Sequence, residues 1–365
     1  MAERQQPQFG LGKSILFSAI LIGLFLGAGE LAVRGWAYYL REDAERFDIA
    51  TQTFVLVPGH HRSAMGQAVI NSDGFVGREL EPDGPDLWRI VAVGDSCTYG
   101  GGHELYTYPA QLDRMLQERE RPGLRYEVVN AGVSGLNSEL ALRRLRTKVL
   151  PLHPDVVIVY IGWNDLMKVD PFAGGSSARW AGVARFLDRL WLVKGLRKLM
   201  FYDVRPYLRP PSTGPESDTG RLKEFRPALY ESTLREMIAA VRGAGSRPVL
   251  VTLPTVVRPE MTLEDIRRAN VFFPYFPSAY GVLDLLDLIH DYNQTIRRVA
   301  LDEGVPLIDL EREFDRIPDP VPLFLDTMHT TPEGARRIAD LLLRDLDRDG
   351  LLDPAAVPPA GTAAR

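Results

Sequence analysis

Five short apolar runs, each followed by a stretch of helical character, constrain this chain more than any other feature. Ile90–Val93, Tyr126–Val129, Val156–Ile161, Val249–Leu253 and Leu307–Ile308 are rich in β-branched residues and too short for helices. Bounded by glycine, proline and polar residues, they read as buried strands. Tyr108–Arg119, Ser138–Leu150, Pro227–Ala244, Leu283–Glu303 and Pro332–Leu346 read as the intervening and closing helices. Gly243, Gly245 and Gly304 supply helix stops. Strands alternating with helices of this length call for right-handed crossovers and a parallel sheet covered on both faces. The expected fold class is therefore α/β, a three-layer sandwich, with no internal repeat.

The first run ends abruptly in RIVAVGDSCTYGGG, Arg89–Gly102, which places Ser96 where a following helix would begin. That turn suits a nucleophile. It lies at the carboxyl end of a parallel strand, where open α/β sheets hold their ligands. Backbone N–H groups and the positive end of the helix also face any oxyanion forming there. Small residues are common in such turns, so Gly-Asp-Ser alone decides little. Three further blocks follow in order: Asn130-Ala131-Gly132-Val133-Ser134-Gly135, Gly162-Trp163-Asn164-Asp165 and Asp326-Thr327-Met328-His329. The set resembles the SGNH (GDSL-type) hydrolase family in the identity, order and approximate spacing of its signature blocks, from Ile90 to the helix after His329. The resemblance implies the same architecture, a flavodoxin-like three-layer sandwich on a parallel five-stranded sheet.

Acyl transfer through serine needs a nucleophile, a base, a group that orients the base, and donors for the oxyanion. Ser96 is the expected nucleophile and His329 the base. Asp326 stands three residues before His329, a spacing that lets its carboxylate reach the second ring nitrogen in a tight turn. The other histidines, His60, His61, His103, His153 and His290, lack the combination of an acid three residues before and a glycine-bearing helix start after. By resemblance, the oxyanion donors are the backbone N–H of Ser96, the backbone N–H of Gly135 and the side-chain amide of Asn164. Gly135 corresponds to the family's glycine better than Gly132 does. Asp95 and Asp165 are expected to brace their turns rather than react. Trp163 replaces the smaller residues usual there and is expected to narrow the pocket. Cys97, the only cysteine, excludes an intramolecular disulfide and reads as a small buried residue rather than a thiol nucleophile. No ligand cluster or phosphate-binding loop calls for a metal or cofactor.

A net charge of -5 gives no reason to expect a nucleic-acid partner. Ser14–Gly29 carries no charge, and its apolar character continues past Glu30 to Val33. Twenty helical residues span about 30 Å, the thickness of a bilayer's hydrocarbon core. With no small-residue cleavage site behind it, and with Trp36, Tyr38 and Tyr39 as interfacial residues, the stretch reads as an uncleaved signal anchor. A cleaved signal peptide and a buried core helix are the competing readings. Similarity to exported family members points to a cytoplasmic N-terminus and an extracytoplasmic, periplasmic body at the bacterial inner membrane.

The expected organisation is residues 1–40 as stub and transmembrane anchor, 41–87 as a stalk or edge segment, 88–350 as the hydrolase domain with an insertion at 167–225, and 351–365 as a disordered tail. No chemistry is apparent in 41–87, and His60-His61 reads as surface. Within the insertion, Trp180, Val183, Phe186, Leu187, Leu190 and Trp191 share one helical face ringed by Arg179, Arg185, Arg189, Lys194, Arg197 and Lys198. This 179–198 stretch either packs on the domain or contacts a membrane. Phe272, Phe273, Tyr275, Phe276 and Tyr280 either line a substrate groove or cap the core. The functional expectation is a serine esterase acting, through an acyl-enzyme, on O-acyl (O-acetyl) esters of an extracytoplasmic glycan or lipid. An O-acyltransferase using the same site, and a non-catalytic binding module, are the alternatives.

Overall fold

The structure is a computed structural model and describes residues 11–40, 45–48, 53–63, 65–119, 121–168, 190–223 and 225–353. The chain divides into two compact units, Met1–Arg41 with Gly174–Arg209, and Glu42–Ala173 with Pro210–Arg365.

The larger unit is built on five parallel strands: β5 (Leu87–Gly94), β6 (Arg125–Asn130), β7 (Val156–Tyr160), β8 (Arg247–Val251) and β9 (Leu307–Ile308). Their spatial order is β6-β5-β7-β8-β9, the doubly wound flavodoxin-like arrangement. Every residue of β7 is buried, as are seven of the eight in β5. These are the apolar runs of the sequence, and each buried Val or Ile contributes about 1.5–3 kcal/mol of transfer free energy. On one face, α3 (Tyr108–Gln117) packs against β6 and the C-terminal helix. On the other, α4 (Ser138–Arg144) and Val282–Glu303 pack against Ala228–Gly243.

The strand expected at Val249–Leu253 starts and stops two residues early. Beyond Val251 the carboxamide of Asn293 replaces the neighbouring strand, accepting from the Leu253 N–H at 2.7 Å and donating to its carbonyl at 3.0 Å. The helix expected over Ser138–Leu150 is α-helical to Arg144 and continues as a π turn to Val149 and a 3₁₀ turn containing Pro151, which has no N–H for the ladder. The tail expected to be disordered from 351 is corrected at its start. Leu351 and Leu352 are buried, and their carbonyls accept from Trp88 Nε1 (3.0 Å) and Tyr126 OH (2.8 Å).

Upstream of the sheet lie two antiparallel hairpins, β1 (Glu45–Asp48) with β2 (Thr53–Leu56) and β3 (Gly59–Ser63) with β4 (Gly66–Ile70). Val76 then bridges to Asn130 at the end of the edge strand β6. Arg144, 1 % exposed, ties this segment down. It lies over the Phe75 ring and donates to the carbonyls of Ala131 (3.0 Å) and Gly74 (3.2 Å), and burial lowers its pKa to about 10.

In the smaller unit, α1 (Leu11–Leu40) contains a 24-residue apolar stretch, Gly12–Gly35, of mean hydropathy 2.1, with none of its most apolar window buried. A second helix follows Leu190, which is itself extended, and runs Trp191–Lys198. Trp180, Val183, Phe186, Leu187, Arg179, Arg185 and Arg189 lie outside the described residues.

Candidate active site

The strand β5 ends at Gly94, where any side chain would collide with Thr98 and with the Tyr160 carbonyl. Asp95 then turns the chain. Its Oδ1 accepts from the Cys97 N–H (3.0 Å) and its carbonyl from the Tyr99 N–H (2.9 Å), starting the one-turn helix α2 (Ser96–Tyr99). Ser96 is the first residue of that helix. From β5 the chain moves first to one neighbouring strand, β6, and later to the other, β7. The reversal leaves a crevice between the two connections, the usual place for a ligand in such sheets. Ser96 follows β5 and Asn164 follows β7, so both stand at its rim.

The His329 imidazole completes a chain of short hydrogen bonds. Its Nε2 lies 2.8 Å from Ser96 Oγ, and its Nδ1 lies 2.8 Å and 3.0 Å from the two carboxylate oxygens of Asp326. Asp326 is fixed in turn, since its Oδ1 also accepts the N–H groups of Met328 (3.0 Å) and His329 (2.9 Å). The surrounding loop is closed by the Leu325 N–H donating to the His329 carbonyl (2.7 Å). It is pinned from outside by Thr255 Oγ1 donating to the Thr327 carbonyl (2.8 Å). Burial lowers the His329 pKa, but the hydrogen bond and charge of Asp326, with the charge of Asp95, outweigh it and hold the ring above its ordinary value. Cys97 has the opposite character. Burial first, then the charges of Asp95 and Asp326, push its thiol well up, so it stays protonated.

The loop after β6 supplies the next group. The N–H groups of Ala131, Gly132, Val133 and Ser134 donate to Ala92 O (2.9 Å), Asn130 Oδ1 (2.9 Å), Gly94 O (3.2 Å) and Glu45 Oε1 (3.0 Å). Those of Ser96 and Gly135 have no acceptor among the described residues. Gly132 is excluded on steric grounds as well, because Thr98 and Tyr99 fill the space beside it. Gly135 adopts φ +75°, a backbone conformation that favours glycine. Asn164 stands on α5 (Trp163–Lys168), and its amide makes no hydrogen bond among the described residues. Its neighbour Asp165 braces the site by accepting from Ser138 N–H (2.8 Å) and Oγ (2.6 Å). Burial raises the Asp165 pKa to about 6, against the lowering effect of those bonds. Trp163 is 1 % exposed and packs in the core, which corrects its expected place on the pocket wall.

Three contributors escaped the sequence reading. Glu45, from the segment where no chemistry was expected, holds the Ser134 N–H. Arg144 holds Ala131. Lys168 Nζ lies 3.4 Å from the Gly135 carbonyl, and its position four residues after Asn164, on the same helical face, was the one available signal. The aromatic stretch also reaches this end of the sheet. Phe272 exchanges two hydrogen bonds with Thr327 Oγ1 (2.8 and 2.9 Å), and the Tyr275 N–H donates to the Met167 carbonyl (3.1 Å). Phe276 and Tyr280 are buried, whereas Phe272, Phe273 and Tyr275 remain partly open. Among the described residues, no group of three or more His, Cys, Asp or Glu is placed to hold a metal.

Residues 92–337 match the GDSL-like Lipase/Acylhydrolase family. The chain belongs to that family. The matched span contains every side chain of the site described in this section except Glu45. The chain is 36% identical over 78 residues to an uncharacterized lipoprotein, YqeF, of Bacillus subtilis (strain 168), a match covering 21% of this chain and 31% of that protein. Among solved structures it is similar to an alpha/beta hydrolase enzyme from the metagenome of Lake Arreo, Spain, with 22% identity, 73% of this chain and 96% of that chain covered, and a TM-score of 0.44. It is similar also to an acetyl xylan esterase from Geobacillus stearothermophilus, with 19% identity, 71% and 94% covered, and a TM-score of 0.44.

Proposed function

We propose that Ser96, His329 and Asp326 form the catalytic triad of an esterase that works through an acyl-enzyme. The arrangement that carries this reading is the Oγ–Nε2 contact of 2.8 Å continued by the Nδ1–Oδ2 contact of 2.8 Å. Ser96 Oγ attacks the ester carbonyl carbon as its proton passes to Nε2. Asp326 keeps the other ring proton on Nδ1 and stabilises the imidazolium. The tetrahedral oxyanion is received by the N–H groups of Ser96 and Gly135, which have no acceptor among the described residues, and by the Asn164 amide. Collapse expels the alcohol, which takes the proton from His329 and leaves an acyl group on Ser96. Water, deprotonated by the same imidazole, then releases the acid.

Asn164→Ala tests the oxyanion assignment. Loss of one such donor lowers turnover by roughly 10²–10³-fold, and the effect is expected in kcat for an aryl acetate with little change in KM. A purely structural role for Asn164 predicts instead a fall in thermal stability with kcat preserved.

We further propose that α1 is a membrane anchor with the catalytic body on the extracytoplasmic side, and that the ester is an O-acyl, chiefly O-acetyl, group on a glycan or lipid found there. The 24-residue apolar stretch of α1, whose most apolar window has no buried residue, supports the anchor. The partly open Phe272, Phe273 and Tyr275 support a sugar or acyl surface stacked at the crevice mouth. The full-length enzyme supplied with an acyl donor, with and without a polysaccharide acceptor, is expected to release free acid in both cases. Acyl transfer to the polysaccharide in place of acid release identifies a transferase working from the same acyl-enzyme.

A further inference from the structure

The smaller unit carries apolar surface that its own packing leaves open. Glu30 is the only acid in α1, yet its side chain is 16 % exposed while Leu26 and Leu31 beside it are 50% and 71% exposed. One carboxylate oxygen accepts from Arg34 Nε at 2.8 Å, and the other from the Leu192 N–H at 2.8 Å, in the first turn of α6 (Trp191–Lys198). Gly29 faces Leu192 and Gly195 faces Val33 across the contact between the two helices. A Cβ on Gly29 would sit 3.4 Å from Leu192, and one on Gly195 would sit 3.8 Å from Val33. The contact therefore holds α6 at the level of Gly29–Arg34.

That level is informative. Gly12 to Gly29 spans about 26 Å and Gly12 to Val33 about 32 Å at 1.5 Å per residue, which brackets a hydrocarbon core of about 30 Å. If α1 crosses a bilayer from Gly12, its contact with α6 falls at the far boundary. Leu196 (51%) in α6, and Leu199 (47%), Met200 (49%), Tyr207 (79%) and Leu208 (76%) in the residues that follow it, are exposed. The sequence of α6 also carries Lys194, Arg197 and Lys198 without an acid. Soluble surfaces rarely gather so much open apolar area. Apolar side chains interleaved with basic ones suit an anionic headgroup layer.

We propose that residues 191–208 are an interfacial membrane-binding element, seated in the leaflet where α1 ends and clamped to α1 through Glu30. The proposal rests on the reading of α1 as an anchor. Its occupant is a lipid surface, and the contact of α6 with α1, together with the open apolar residues and the basic residues of its sequence, argues for it. The enzyme then holds its membrane by a span and by a surface element lying beside that span.

The full chain reconstituted in vesicles of phosphatidylcholine and phosphatidylglycerol tests this. Cysteines introduced one at a time, as Leu24→Cys, Leu196→Cys, Met200→Cys and Leu301→Cys, carry an environment-sensitive fluorophore, with the unsubstituted chain, whose one cysteine, Cys97, is buried, as the blank. Labels at 196 and 200 are expected to shift to the blue and to be quenched by nitroxides on the lipid chains, at a shallower depth than the label at 24. The label at 301, 81% exposed in the other unit, is expected to report water. Quenching at 24 with water-like emission at 196 and 200 overturns the interfacial element and leaves the anchor standing. Water-like emission at 24 overturns the anchor and this proposal with it.

Discussion

Ser96→Ala is expected to lower hydrolysis of an aryl acetate by roughly 10⁴–10⁶-fold, the loss typical of removing a serine nucleophile from an otherwise intact triad. The fold should survive the change. The Ser96 hydroxyl makes one hydrogen bond among the described residues, to His329, whereas the turn is held by Asp95 through the Cys97 and Tyr99 N–H groups. Circular dichroism and the melting temperature are therefore expected to match the parent. The neighbouring thiol offers no bypass, because burial and two nearby carboxylates keep Cys97 protonated. A fluorophosphonate probe should label the parent stoichiometrically on Ser96 and leave the variant unlabelled. This pair of measurements also separates an enzyme from a binding module that shares the fold. Substantial residual turnover, or labelling of a different residue, removes Ser96 from the mechanism.

Much of this site could be read from the sequence because each of its groups sits at the end of a strand. The runs at Ile90–Val93 and Val156–Ile161 are continuous and β-branched, and a parallel sheet covered on both faces requires just that composition. Their ends could be located to within a few residues, and Ser96 and Asn164 with them. The Asp326–His329 spacing is local, so a tight turn brings carboxylate and ring together without distant help. The missed contributions are long-range. Glu45 meets Ser134 across 89 residues, and Arg144 meets Gly74 across 70, through side chains whose direction no local pattern specifies. Trp163 erred for a related reason. Position in the block placed it beside the pocket, but a large apolar ring on a short buried helix gains more by turning into the core. The early end of β8 likewise depended on Asn293, a polar residue in the middle of a distant helix that substitutes for a strand.

The second large effect concerns Asp326. Asp326→Asn is expected to cut kcat/KM by roughly 10⁴-fold at its plateau, since an amide in that place no longer enforces the Nδ1–H tautomer or stabilises the imidazolium. The pH dependence makes the test specific. Catalysis needs His329 neutral, so activity rises with pH through the pKa of the ring. In the parent that pKa lies above the ordinary histidine value of about 6.5, because the Asp326 bond and charge exceed the opposing effect of burial. Removing the carboxylate leaves burial dominant, so the acid limb of the variant should move to lower pH. Stability must move the other way. A folded-state pKa above the unfolded one means the ion pair stabilises the fold fully below the unfolded pKa and ceases to do so as pH rises through the folded pKa. The melting-temperature difference between parent and variant should therefore be largest in acid and shrink towards alkaline pH, where the parent is most active. The triad thus gives up its own ion-pair stabilisation to become catalytically competent. An acid limb that stays in place in Asp326→Asn assigns the perturbation of His329 to other groups and leaves Asp326 a brace for the loop.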